Sequence, residues 1–129
     1  MIDDATVKKI QSLGRVKTIV ISHPHFYTTA CKWAATFGVP VCIGSEDREW
    51  LCRTPPADVE IITVNGKAGA KDSRKVLAAG KEEDPITAVK TGGHFSGSLV
   101  LHWGTRLWIA DSIMTIPVGL MLFPLPAYD

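Results

Sequence analysis

A chain of 129 residues has room for one domain and not for two full ones. Apolar residues make up 46% and charged residues 21%, the mix of a globular protein. With 14 basic and 13 acidic side chains the net charge is +1, which excludes the electrostatic footprint of a nucleic-acid binder, so no nucleic-acid partner is expected.

Asp3 or Asp4 caps a first helix, with Val7, Ile10 and Leu13 at helical spacing and Gly14 as its stop. Residues 16–22 are short and rich in β-branched side chains, which predicts a strand. Its apolar run from Ile19 to Ile21 suggests burial on both faces. A helix follows from Thr28 or Thr29 to Phe37, closed by Gly38, then a strand over Val39–Ile43. Ser45 offers a cap for a helix over Glu46–Cys52, ended by Arg53 and the Pro55-Pro56 pair. This order implies parallel strands with helices packed on them.

Val59–Val64 reads as a further strand with Asn65-Gly66 as its turn. Residues 66–84 are rich in Lys, Ala, Gly and Asp and read as a surface loop or a frayed helix. Ile86–Lys90, Leu99–Trp103 and Leu107–Ala110 read as strands, the last two joined by a short loop at Gly104-Thr105-Arg106. The fold class expected is α/β with a mixed sheet, over residues 1–116, followed by an irregular apolar tail at 117–129.

Cys31, Cys42 and Cys52 are an odd count without a Cys-x-x-Cys pair, which predicts reduced thiols rather than a disulfide framework. The opening residues contain no apolar signal segment. The longest apolar stretch, Ile113–Tyr128, is too short for a span and is interrupted by Pro117, Pro124 and Pro126. A cytoplasmic location without membrane association is the expectation.

The chemistry rests on histidine. His23 and His25 are two apart where a strand ends; in an extended chain both point to one side, and Pro24 stiffens the link between them. His94 sits in the loop Thr91-Gly92-Gly93-His94-Phe95-Ser96-Gly97, whose glycines let it approach another loop closely. Three imidazoles and a water make a tetrahedral zinc site. His102 alternates with Leu101 and Trp103 in a strand and is expected to face solvent rather than a metal. Asp111 follows the strand at Leu107–Ala110. It either approaches the metal or serves as a turn or helix-cap aspartate before Ser112 and Ile113.

Ser22-His23-Pro24-His25-Phe26-Tyr27, then Thr91–Ser98, then Trp108–Ser112 resemble, in order, the metal-binding loops of metallo-β-lactamase-fold hydrolases. The resemblance runs from about Ile2 to Ile113. It implies an αββα sandwich, with His23, His25 and His94 as the first metal position and Asp111 as the aspartate of the second. It also implies a zinc-dependent hydrolase acting through metal-bound hydroxide on a small-molecule substrate whose class the loops do not reveal.

The family pattern is His-x-His-x-Asp-His, and here Tyr27 stands in place of the Asp and Thr28 in place of the last His. One zinc ion is therefore expected, with the second site lost. Tyr27 is expected either to hydrogen-bond water or substrate in the catalytic site or to pack as a core aromatic. The chain starts at the helix before the first histidine loop and stops before the family's final histidine. An incomplete sandwich is thus expected, self-associating through an uncovered sheet or the apolar tail. The alternative function is a catalytically inactive, truncated homologue acting as a binding or partner-dependent protein.

Overall fold

The Asp3 carboxylate accepts the Thr6 amide at 2.9 Å and starts α1 (Asp4–Leu13), which ends at Gly14 as its sequence requires. The computed structural model describes residues 2–116 and 119–122. β1 (Ile19–Val20), α2 (Ala30–Phe37), β2 (Val41–Gly44) and β3 (Ile61–Val64) follow. Gly38 closes α2 in the left-handed region at φ 63°, where a side chain would be strained. The three strands pair in parallel in the order β1-β2-β3.

β4 (Arg74–Lys81), β5 (Asp84–Lys90), β6 (Leu99–Trp103) and β7 (Arg106–Trp108) form a separate antiparallel sheet in chain order. β8 (Ile113–Ile116) pairs with β9 (Gly119–Leu122) as a two-stranded ribbon.

The period-2 alternation of the parallel strands builds two apolar layers. Val41 and Ile43, with Ile19, Ile21 and Ile61, pack with Tyr27, Ala30 and Ala34 beneath α2. Val20, Cys42, Ile62 and Val64 face the other way, onto Leu77 of β4, Ile86 and Ala88 of β5, and Leu99 and Leu101 of β6. The order is helix, parallel sheet, antiparallel sheet.

Several expectations are corrected. The strand expected at residues 16–22 pairs only over Ile19–Val20 and is half-buried, because it lies at the edge of its sheet; burial on both faces belongs to the central β2. The helix expected after Ser45 is a single 3-10 segment, Glu46–Trp50; the Ser45 hydroxyl donates to Glu46 Oε2 and caps nothing. Parallel and antiparallel strands lie in separate sheets, not in one mixed sheet.

The loop expected over 66–84 contains β4. As an edge strand it needs only one apolar face, and its irregular register between Val76 and Gly80 blunts the edge. Gly119–Leu122 is a strand where an irregular tail was expected, and the rest of 117–129 lies outside the described residues. The cysteines form no disulfide. Among the described residues no helix is long and apolar enough to cross a membrane.

Candidate metal centre

His23 is the last extended residue before a 3-10 turn, Pro24–Phe26, closed by the Tyr27 amide donating to the Pro24 carbonyl at 3.1 Å. This turn, rather than a continued strand, swings His25 back beside His23, with ring centroids 5.0 Å apart. Proline suits the first position of such a turn because its φ is preset and its missing amide is not needed.

His94 arrives from the opposite sheet. The Thr91 and Gly92 amides both donate to the Ser98 carbonyl, at 2.9 and 3.2 Å, which closes the loop. Gly92 and Gly93 take φ of 62° and 99°, conformations that only glycine adopts without strain. The Leu99 amide donates to the Ser22 carbonyl at 2.7 Å and joins the two histidine loops across the sheets. Asp111 comes from the turn after β7.

The four side chains converge. His23, His25, His94 and Asp111 each offer a donor atom, and these atoms all lie within 4.8 Å of one another. Asp111 Oδ2 is 3.3 Å from His23 Nε2, 3.7 Å from His94 Nε2 and 4.0 Å from His25 Nδ1. His94 Nε2 is 3.4 Å from His25 Nδ1. Ligands about 2.0–2.1 Å from a tetrahedral zinc stand about 3.3–3.4 Å apart. The His23–Asp111 and His94–His25 pairs already stand at that spacing, and the group could hold a metal ion once its wider pairs, up to 4.8 Å apart, draw in.

The protonation pattern fits a cation. His23 Nδ1 lies 3.0 Å from Ser22 Oγ, while its Nε2 is buried without a hydrogen-bond partner and faces the group. Burial holds the His23 pKa below its ordinary value; the Asp111 charge opposes this, and His94 and His25 add to it. A neutral imidazole with a free lone pair is the form a metal needs. The side chains of His25 and Asp111 are about half exposed, so the centre opens to solvent on that side.

A buried clasp holds the His94 loop. Ile86, Ala88 and Lys90 share one face of β5, so Lys90 points inward at the strand's end, where it is 1% exposed. It meets Glu46 Oε1 at 2.5 Å. Next to it, buried Asp47 accepts the Gly97 amide at 2.8 Å. Both anchors belong to the 3-10 segment after β2. Sequence reasoning missed this clasp. The only signal was a lysine at an inward position of an apolar strand.

Tyr27 is placed in the core layer beneath α2; burial, with the nearby Asp47 charge, raises its phenol well above the usual range. Its hydroxyl is buried and lacks a hydrogen-bond partner among the described residues. Thr28 is exposed. His102 is exposed on β6, as its alternation predicts.

Taken together, the chain is a mixed α/β protein carrying a three-histidine, one-aspartate group that can hold a metal ion. No family model matches it. It is 33% identical over 144 aligned positions to an uncharacterized protein, YmaE, of Bacillus subtilis (strain 168). That alignment takes in 98% of this chain and 46% of the relative, so the chain spans about half the length of the curated relative it matches.

Proposed function

We propose that this chain is a metallo-β-lactamase-like domain and a zinc-dependent hydrolase of a small-molecule substrate. The observation that carries the reading is the meeting of His23, His25, His94 and Asp111 within 4.8 Å, from three segments far apart in the chain. Imidazole-rich sites with one carboxylate suit zinc. Two sheets packed face to face, with a helix on the outer face of the parallel one, fit one side of an αββα sandwich.

Zinc held there would lower the pKa of a coordinated water to about 7 and so supply a nucleophile at neutral pH. The chain's own residues supply the rest. Ser22 fixes the His23 ring, the glycines of the Thr91–Ser98 loop bring His94 in, and the open side at His25 and Asp111 admits substrate. Asp111, about half exposed on the open side, would serve there as a further ligand or as a hydrogen-bond acceptor.

A second reading has its own support. Asp111 Oδ2 stands where a fourth ligand would, and four protein ligands close a tetrahedron as structural zinc sites do. β7 is an edge strand with all three residues exposed, and Leu107, Trp108 and Ile109 leave apolar surface beside it. A catalytically inactive, self-associating metal protein follows from those two features.

Metal analysis of the purified protein, with hydrolysis of p-nitrophenyl acetate, tests both. The hydrolase reading expects about one zinc per chain and turnover that is lost on chelation and in His94→Ala. Zinc without turnover selects the second reading. A protein that binds no transition metal ends both.

A further inference from the structure

A cleft of about 400 Å³ lies between α2 and the segment that follows the Glu46–Trp50 turn. Pro24, the residue between His23 and His25, forms part of its wall, so it adjoins the metal centre. Its size is that of small-molecule sites.

The lining has two parts. Tyr27, Ala35, Leu51 and Pro56 give it an apolar floor. Among the described residues, Lys32 and Arg53 are the only charged side chains that line it, both exposed, and no carboxylate does. Among the described residues neither cation has an ion-pair partner within 4.0 Å. Two unneutralised cations beside an apolar hollow complement a molecule with an anionic head and an apolar body.

We propose that this cleft binds an oxyanion-headed amphiphile, such as a medium-chain carboxylate, with Lys32 and Arg53 taking the head and the floor taking the chain. Its role as the substrate cleft rests on the hydrolase reading; binding itself needs no metal. The hydrolase acting on the centre next door would then take acyl or phosphoryl compounds bearing a second acidic group.

Cys52 lines the cleft and is exposed, whereas burial pushes the Cys42 thiol up to about 11 and raises that of Cys31. Cys52 is therefore the thiol that iodoacetamide meets first, and its alkylation reports occupancy. The experiment follows alkylation of Cys52 by peptide mass in the metal-stripped chain of 129 residues and in His94→Ala. The probes are decanoate, decanol and decyltrimethylammonium, each below its micelle concentration.

Saturable protection by decanoate, at least tenfold weaker for the other two probes, is expected. Lys32→Glu and Arg53→Glu, both on the surface, should each weaken decanoate protection about tenfold while circular dichroism is unchanged. Protection that is equal for the three probes, absent, or indifferent to both substitutions overturns the proposal. Because the readout needs neither metal nor turnover, loss of the hydrolase reading leaves it standing, and its own failure leaves the metal centre untouched.

Discussion

Asp47 Oδ1 accepts the amide of Gly97 at 2.8 Å, a buried hydrogen bond that ties the turn after β2 to the loop carrying His94. The approach is close enough to need glycine twice. A Cβ on Gly97 would stand 2.6 Å from Asp47 Cγ, and a Cβ on Gly44 would stand 2.0 Å from the Gly97 carbonyl oxygen. Gly97→Ala is expected to cost about 1–3 kcal/mol, as overpacking does, since the Asp47 side chain has to move. Gly44→Ala meets backbone and should cost more. Urea denaturation ranks the two. A zinc titration of Gly97→Ala should show weaker binding, because His94 lies three residues away on the same loop; unchanged affinity would mean that the clasp stabilises the fold without positioning the ligand.

The Lys90–Glu46 pair gives an asymmetric prediction. Lys90 is buried, while the Glu46 side chain is 44% exposed. Burial acts to raise the Glu46 pKa, but the hydrogen bonds from Lys90 and Ser45 outweigh it and leave the carboxyl below its ordinary value. Glu46→Ala strands an ammonium inside the protein and is expected to destabilise by about 1–3 kcal/mol, below the range for fully buried pairs because Glu46 is partly solvated. Lys90→Met fills similar space without a charge and should stay within about 1 kcal/mol of the parent. Equal losses in the two variants, read by thermal or urea melts, would contradict a cost that arises from the unpaired lysine.

Asp47 makes a prediction about pH. Burial raises its pKa from 3.8; the Gly97 amide opposes this, the Glu46 charge adds to it, Lys90 opposes it, and Glu49 adds to it. The folded chain thus holds this proton to higher pH than the unfolded chain does. Between 3.8 and the raised value the native state binds more protons, so this residue's contribution to stability falls as pH rises through that window. Asp47→Asn keeps an acceptor for Gly97 and removes the ionisation. The stability of Asp47→Asn relative to the parent should therefore improve from about pH 4 to about pH 7, measured by urea midpoints. A difference independent of pH would show that Asp47 ionises at its ordinary value.

How much of this was legible in the sequence depended on range. Local signals worked where one residue decides, Asp3 before α1 and Gly38 after α2, and short apolar runs marked β2, β3, β5 and β6 as strands. The donor residues were legible because His, His-Gly-rich loop and Asp stand at strand ends, where loops carry functional groups. The sheet partition was not, since pairing is settled by tertiary packing and no residue of β4 announces its partner. β4 itself was hidden by its edge position, which tolerates Lys75, Gly80 and Lys81 where a central strand would not. The clasp of Glu46, Asp47, Lys90 and Gly97 spans up to fifty residues, and only the folded chain brings its parts together.

Ser22 tests the centre from behind. Its hydroxyl lies 3.0 Å from His23 Nδ1, on the opposite side of the ring from the nitrogen that faces Asp111 and the other histidines. A neutral imidazole that donates from Nδ1 to this hydroxyl presents its Nε2 lone pair to a cation. Partners of this kind fix the tautomer and orientation of metal-binding histidines, and their removal costs about 10- to 100-fold in affinity. Ser22→Ala removes the acceptor and leaves the backbone carbonyl that receives the Leu99 amide in place. Zinc affinity, measured by competition with a chromophoric chelator, should fall about tenfold while the urea midpoint of the apo protein changes little. Ser22→Thr keeps the hydroxyl and should restore most of the affinity. If Ser22→Ala binds zinc as tightly as the parent, His23 is oriented by its burial against Phe26 and Phe95 alone, and the hydroxyl has no part in the centre.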